Sequence, residues 1–257
     1  YLKVADLKPH TKTEHRRAYS LADEKLPNIR DVQRQDVQAW VNELGFIYTK
    51  PTIKKYLSAL RGLARYLAVD LTAFDVTVHS AKKSRERDVW TPEQLTKLIS
   101  NAKRPYLPAV IKIGVFTGAR LDAIANMEYR ADEDWLFFPK MKKEKKDRLI
   151  PCPDAIRQDV IAWTEAPRAA STLSTAFGET KVAAGFPTNR EGSGNLQDAH
   201  SFRHTASGRM SECGLPDNVI NRLVGWSTVG MLGRYGSKLD VESLRDWVEK
   251  IDWSDVF

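Results

Sequence analysis

Apolar residues recur at helical spacing along most of the chain. Between Pro51 and Asp70, Ile53, Tyr56, Leu57, Leu60, Leu63, Ala64 and Leu67 form one stripe, the pattern of a helix with a buried face. Lys54, Arg61 and Arg65 fall on another face, because seven residues make close to two helical turns. Such a row either follows a phosphate backbone or faces solvent. Upstream, residues 11–26 hold no Gly or Pro and read as a helix capped by Thr11 or Thr13 and ended by Pro27 and Asn28. Asp31 or Gln33 opens a second helix, with Val37, Trp40, Val41 and Leu44 inward and Gly45 at its exit. A short fourth helix is expected near residues 71–76.

The pattern changes after residue 90. Thr91-Pro92-Glu93 is a helix start: a capping hydroxyl, a proline in the first turn and an acid beside it. A nearly all-apolar helix follows in LPAVIKIGVFTGAR and stops at Thr117-Gly118, which leaves Arg120 at a junction with the next turn, LDAIANM. WLFF and RLIP alternate as strands around a turn crowded with lysines. Helices are expected from Pro153-Asp154, within STAFGETKVAAGF, from Asp198 to Cys213, and from Asp217 to the Gly225-Trp226 turn. After Asp240, Val241, Leu244, Trp247, Val248 and Ile251 share a face, and Trp253, Val256 and Phe257 extend it. The fold class read from this is mainly α with a small β-hairpin or sheet (α+β), in two domains: a helical unit over 1–80, a basic linker over 81–89, and a larger unit over 90–257.

Charge sharpens the division. The first 87 residues carry 17 Lys/Arg against 10 Asp/Glu, whereas residues 88–257 carry 23 of each, so the whole net charge of +7 lies at the front. That excess suits a polyanion or a solvated surface. The linker contributes Lys82, Lys83, Arg85 and Arg87 with no apolar anchor. No apolar run is long enough to cross a bilayer, and the start has no signal-peptide pattern, so no membrane partner is expected. The chain begins at Tyr1, which suggests a start within a longer gene product. The two cysteines, Cys152 and Cys213, make no disulfide framework, and a reducing cytoplasmic setting is the simplest reading.

The chemistry concentrates between His200 and Tyr235. His200 and Arg203, three apart, project from one helix face and pair a proton-handling group with a fixed cation. That suits phosphoryl transfer, although the pair alone is more often structural. His204 points elsewhere on the helix and reads either as packing or as support behind the site. Tyr235 lies nine residues after Trp226. A tyrosine, with an ordinary pKa of about 10, attacks phosphorus only where its proton is taken or cations stabilise it. The chain has no dense carboxylate set for two-metal catalysis, no zinc-ligand spacing and no Walker sequence. No cofactor is therefore expected, and phosphoryl transfer would proceed without metal or nucleotide.

In order, TGAR ending at Arg120, the lysine turn closing in RLIP, His200-Ser201-Phe202-Arg203 and Gly225-Trp226 followed by Tyr235 resemble the boxes of the tyrosine recombinase (phage integrase) family. The match covers 88–257. The front unit is similar to the family's core-binding domain only in size, helicity and charge. The resemblance implies a site-specific DNA recombinase in which Tyr235 attacks the scissile phosphate to give a 3′-phosphotyrosyl link. Arg120 and Arg203 would grip the non-bridging oxygens, and His200 would handle a proton. Trp226 stands where most members have His. A turn lysine would protonate the leaving 5′-oxygen: Lys143, eight residues before Pro151, with Lys142 and Lys145 as rivals. Lys54, Arg61, Arg65, Lys82, Lys83, Arg85, Lys142 and Lys145 are the expected DNA contacts. The implied partners are double-stranded recombination sites, a homo-tetramer passing through a Holliday junction, and an accessory directionality or bending protein. The implied location is a prokaryotic nucleoid or the host of a phage or mobile element. One departure stands out: the family's acid three residues after the first arginine is here Ala123, with Asp122 one position earlier.

Three other readings compete. A type IB topoisomerase shares the tyrosine and arginines, a DNA-binding module would need no Tyr235, and a basic interaction protein would show no DNA affinity. The apolar tail with Trp253 and Phe257 would dock either on its own domain or on a neighbouring subunit.

Overall fold

The computed structural model describes residues 2–3, 5–79, 81–82, 88–141, 146–187, 197–226 and 240–257. The chain divides into two compact units, Tyr1–Arg85 and Glu86–Phe257.

The first unit is helical. Helices α1 (Pro9–Asp23), α2 (Arg34–Ile47) and α3 (Lys50–Tyr66) pack around Ala18, Val37, Trp40, Ile53, Leu57, Leu60 and Phe74. Three expectations shift. Helix α1 starts at Pro9, whose fixed φ is already helical, and Thr13 is not a cap, since its hydroxyl donates back to the Pro9 carbonyl at 3.2 Å. Helix α2 does not exit at Gly45. It runs on to Ile47, and the Lys82 N–H donates to the Gly45 and Tyr48 carbonyls at 2.8 and 3.1 Å, which satisfies the helix end. The fourth helix is a single 3₁₀ turn, Thr72–Phe74, held by Asp70, which accepts the Thr72 N–H at 3.0 Å and its hydroxyl at 2.6 Å.

The second unit is built on α5 (Leu107–Thr117), which is buried along nearly its whole length and is therefore apolar on every side. Around it lie α4 (Pro92–Ser100), α6 (Leu121–Ala125), α7 (Arg157–Glu165), α8 (Ala170–Ala183), α9 (Ser201–Glu212) and α10 (Asp217–Val224). The Thr91 cap forms as expected: its hydroxyl accepts the Gln94 N–H at 3.3 Å, and the Gln94 side chain accepts the Thr91 N–H at 3.0 Å. The sheet is antiparallel, in the order β1 (Glu128–Arg130), β2 (Trp135–Phe138), β3 (Arg148–Pro151). Trp135 faces Pro151 and Phe138 faces Arg148, so β2 and β3 form the expected hairpin, closed by the Lys140 N–H donating to Asp147 at 2.6 Å. Strand β1 was not expected; three residues carry too little alternation to be read.

The C-terminal segment packs on its own unit. Leu244, Val248, Ile251 and Trp253 are buried, the short helix α11 (Arg245–Val248) being part of it, and Phe257 stacks on Phe116 with centroids 5.9 Å apart. Arg209 bonds the Asp255 carboxylate and lies 4.6 Å over the Trp253 ring. Cys152 is fully buried and Cys213 half-buried at the end of α9. No described helix is long and apolar enough to cross a membrane.

Asp134 joins this segment to the sheet. Its carboxylate accepts from Tyr129 at 2.8 Å, from Arg157 at 2.7 and 3.0 Å, and from Arg245 at 3.0 Å. The Arg157 bonds, outweighing burial, pull its pKa down from 3.8 to about 2. A depressed carboxylate contributes stability that is full above its unfolded value near 4 and is lost as pH falls through about 2. The expected contribution at neutral pH is about 2 kcal/mol. Urea unfolding at pH 7 and pH 2.5 should show Asp134→Asn losing about that much at pH 7 and much less at pH 2.5.

Candidate active site

Four stretches of sequence converge where α5 and α10 end. Helix α5 stops because Gly118 takes φ +61°, a left-handed conformation that favours glycine. A β-carbon there would sit 2.9 Å from a Val224 methyl, so the residue is also fixed by its close approach to α10. Thr117, fully buried, donates its hydroxyl to Ile113 at 2.6 Å and accepts the Ala119 N–H at 3.2 Å. These bonds shape the corner from which half-buried Arg120 emerges as the residue that precedes α6.

Helix α10 ends the same way, at Gly225 with φ +77°, where the Gly225 and Trp226 N–H groups both donate to Asn221 at 2.9 Å. Arg203 bridges the two ends. It is 1% exposed, and its guanidinium donates to the Gly118 carbonyl and to the Gly225 carbonyl, each at 3.0 Å. Its Cζ lies 5.6 Å from the centroid of the half-exposed Trp226 ring. One cation thus ties the TGAR corner, the His-x-x-Arg helix and the Gly-Trp turn.

A second buried arginine repeats the arrangement one residue earlier at the end of α5 and two residues earlier at the end of α10. Arg148, the first residue of β3, donates to Thr117 at 3.1 Å and to the Leu223 carbonyl, with its Cζ 4.0 Å over the Phe138 ring. Both arginines meet the C-terminal ends of α5 and α10, where helix dipoles favour positive charge. Sequence reading missed Arg148. The signal was the strand period: Arg148 shares a face with buried Ile150, whereas Leu149 between them is only half-buried.

His200 immediately precedes α9. The Asp198 carboxylate caps it, accepting the His200 N–H at 2.8 Å and the Ser201 N–H at 3.1 Å, while the Ser201 hydroxyl accepts the Asp198 N–H at 3.1 Å. His204 does not point elsewhere: its ring meets that of His200 edge-on at 5.7 Å, as positions four apart do. Ala123 is buried in the core, and Asp122 accepts the Ala123 N–H at 3.1 Å, within its own turn.

Lys142, Lys143 and Lys145, the turn lysines, and Tyr235 lie outside the described residues, as do Lys83 and Arg85. In the first unit, Lys54 and Arg65 are exposed, but Arg61 is half-buried and donates to the Phe74 carbonyl at 2.7 Å. This anchors the 3₁₀ turn, so the three basic residues are not one equivalent row. Lys54 and Arg61 still line an open groove with Lys50, Leu57 and Val78. Lys82 is exposed, with its backbone bonded to the end of α2.

Residues 88–241 match the model of the phage integrase family. Transposase B from transposon Tn554 of Staphylococcus aureus is 25% identical over 256 residues, which covers 86% of this chain and 40% of the transposase, so the chain spans well under half of that relative. A tyrosine recombinase of Thermosipho africanus is 25% identical over 146 residues, half of each chain. Among solved structures, a lambda integrase dimer bound to a COC′ core site superposes with a TM-score of 0.66 at 18% identity, over 91% of this chain and 73% of that one. The lambda integrase tetramer bound to a Holliday junction gives 0.65 at 17% identity, over 91% and 74%. At these identities the superpositions establish the fold.

Proposed function

The chain belongs to the phage integrase family, and on that premise we propose that it is a site-specific DNA recombinase that cuts and rejoins strands through a 3′-phosphotyrosyl intermediate. The observation that carries this is the Arg203 bridge, which gathers three separated boxes around one cation. An arginine fixed at this junction suits contact with an incoming phosphate.

Tyr235 attacks the scissile phosphorus as His200 assists removal of its proton. The Tyr–O–P bond forms, the P–O5′ bond breaks, and a turn lysine, Lys143 or one of its neighbours Lys142 and Lys145, gives the 5′-oxygen its proton. Arg120 and Arg203 hold the non-bridging oxygens as charge grows on them. The Trp226 indole packs beside Arg203 and offers an N–H to phosphate. Because the phosphotyrosyl bond keeps the energy of the phosphodiester, a 5′-hydroxyl from another strand reseals it without ATP.

The first unit, with Lys54, Arg65 and Lys82, together with Lys83 and Arg85, would contact the duplex as well, and Arg61 would act mainly by anchoring its own turn. Exchange between two duplexes requires several copies. A tetramer passing through a Holliday junction, with an accessory directionality or bending protein, is the assembly proposed, acting in the nucleoid of a prokaryotic cell or of the host of a mobile element.

Nicked suicide duplexes drawn from DNA flanking the gene, incubated without metal or ATP, should give a protein–DNA adduct that survives denaturation, at one preferred position. Tight binding with no adduct would favour a binding module. Adducts without site preference, together with relaxation of any supercoiled plasmid, would favour a topoisomerase.

A further inference from the structure

The second unit receives the incoming chain at Val89 and Trp90, and this entry point is bonded to the residues just before His200. Trp90 is 2% exposed and boxed by the rings of Phe177, Phe186 and Phe202 at 6.0, 5.3 and 6.1 Å. Its backbone N–H donates to the Thr205 hydroxyl of α9 at 2.8 Å, and its indole N–H donates to the Asp198 carbonyl at 3.1 Å. Gln197, also buried, donates to the Val89 carbonyl and, at 2.7 Å, to Gln94. Lys181, 5% exposed, reaches the Gln197 carbonyl and lies 5.9 Å from the Trp90 ring centroid. Burial lowers the Lys181 pKa.

These bonds converge on one short stretch. Asp198 is held at its carbonyl by Trp90, and its carboxylate takes the His200 and Ser201 N–H groups. Packing of the Trp90 ring needs neither of its N–H bonds, yet both are aimed at α9 and the residue that caps it. We propose that Trp90 is a positioning residue for His200: its two hydrogen bonds fix the start of the His200 helix relative to the point where the chain arrives from the basic first unit. The consequence for DNA cleavage rests on the recombinase reading above. Displacement of the entering chain is then passed to His200 through two bonds.

The test uses the full chain. Trp90→Phe keeps an aromatic ring but removes the indole N–H together with the five-membered ring that carries it; Thr205→Val, which removes the acceptor of the backbone bond at nearly constant shape, separates the loss of a bond from the loss of volume and serves if Trp90→Phe melts early. In each, the imidazole titration of His200 is followed by NMR without DNA, with exposed His10 as internal control. Cleavage of a nicked duplex is measured in a double-mutant cycle with His200→Ala. The expected result is a shift of the His200 titration by at least about 0.3 pH unit and no shift for His10. Cleavage should fall about tenfold with DNA affinity unchanged, and by less than about twofold when His200 is already alanine. An unmoved His200 titration, or an equal loss in both backgrounds, overturns the proposal. If the wild type forms no adduct, the recombinase reading fails, while the titration alone still decides whether Trp90 positions His200.

Discussion

Replacing Tyr235 with phenylalanine will abolish the covalent adduct, a loss on the order of 10⁴-fold or more, and leave duplex affinity within about twofold. The exchange removes one oxygen and keeps the ring, so contacts made by arginines and lysines to phosphate persist, and these dominate affinity. Other hydroxyls lie nearby in the chain at Ser227, Thr228 and Ser237. An adduct retained by Tyr235→Phe would assign the attack to one of them, and mass mapping of the trapped peptide would say which. A denaturing gel with end-labelled duplex, beside a shift assay on the same samples, separates lost chemistry from lost binding.

Arg203→Ala will act twice. The Gly118 and Gly225 carbonyls each lose a charged donor in a buried place. Leaving buried carbonyls unmet costs about 1–3 kcal/mol each, so the second unit should lose about 2–5 kcal/mol, a fall of roughly 10 °C in Tm at this size. The cleavage rate should fall by about 10²–10³ as well, the loss typical of one oxyanion donor. Arg203→Lys distinguishes the two effects. A lysine keeps the charge but lacks the planar fork that reaches two carbonyls and a phosphate together. It should recover most DNA affinity, recover about half of the stability, and stay about 10²-fold slow. A lysine variant with wild-type rate would remove Arg203 from the chemistry.

Most of the α-helices were legible because their apolar stripes and caps agree. The Thr91 box and the glycines at 118 and 225 announce ends that are written in the local sequence. Gly45 misled because a helix end is also set by what donates to its last carbonyls, and here the donor, the Lys82 N–H, lies far along the chain. The candidate site was legible as residue types in order, through TGAR, His-x-x-Arg and Gly-Trp. What holds them was not: the sequence singles out Arg203 only as a phosphate contact and passes over Arg148, and the burial of both against the ends of α5 and α10 comes from tertiary packing. The tail shows the same limit. Its amphipathic face was readable, but a sequence does not say whose core that face joins, and here Trp253 and Phe257 pack with Phe116 of the same chain.

The two thiols, finally, are chemically unequal. Burial pushes the Cys152 pKa up to about 12, so at pH 8 roughly one molecule in 10⁴ carries the thiolate that alkylating agents and peroxide attack. Cys213 is half-buried and terminates the helix whose other end carries His200 and Arg203. A maleimide dye therefore goes to Cys213 without any engineered residue. The twelve residues of α9 put it about 18 Å from the end next to His200, near enough to report motion of that helix and far enough to leave His200 and Arg203 undisturbed.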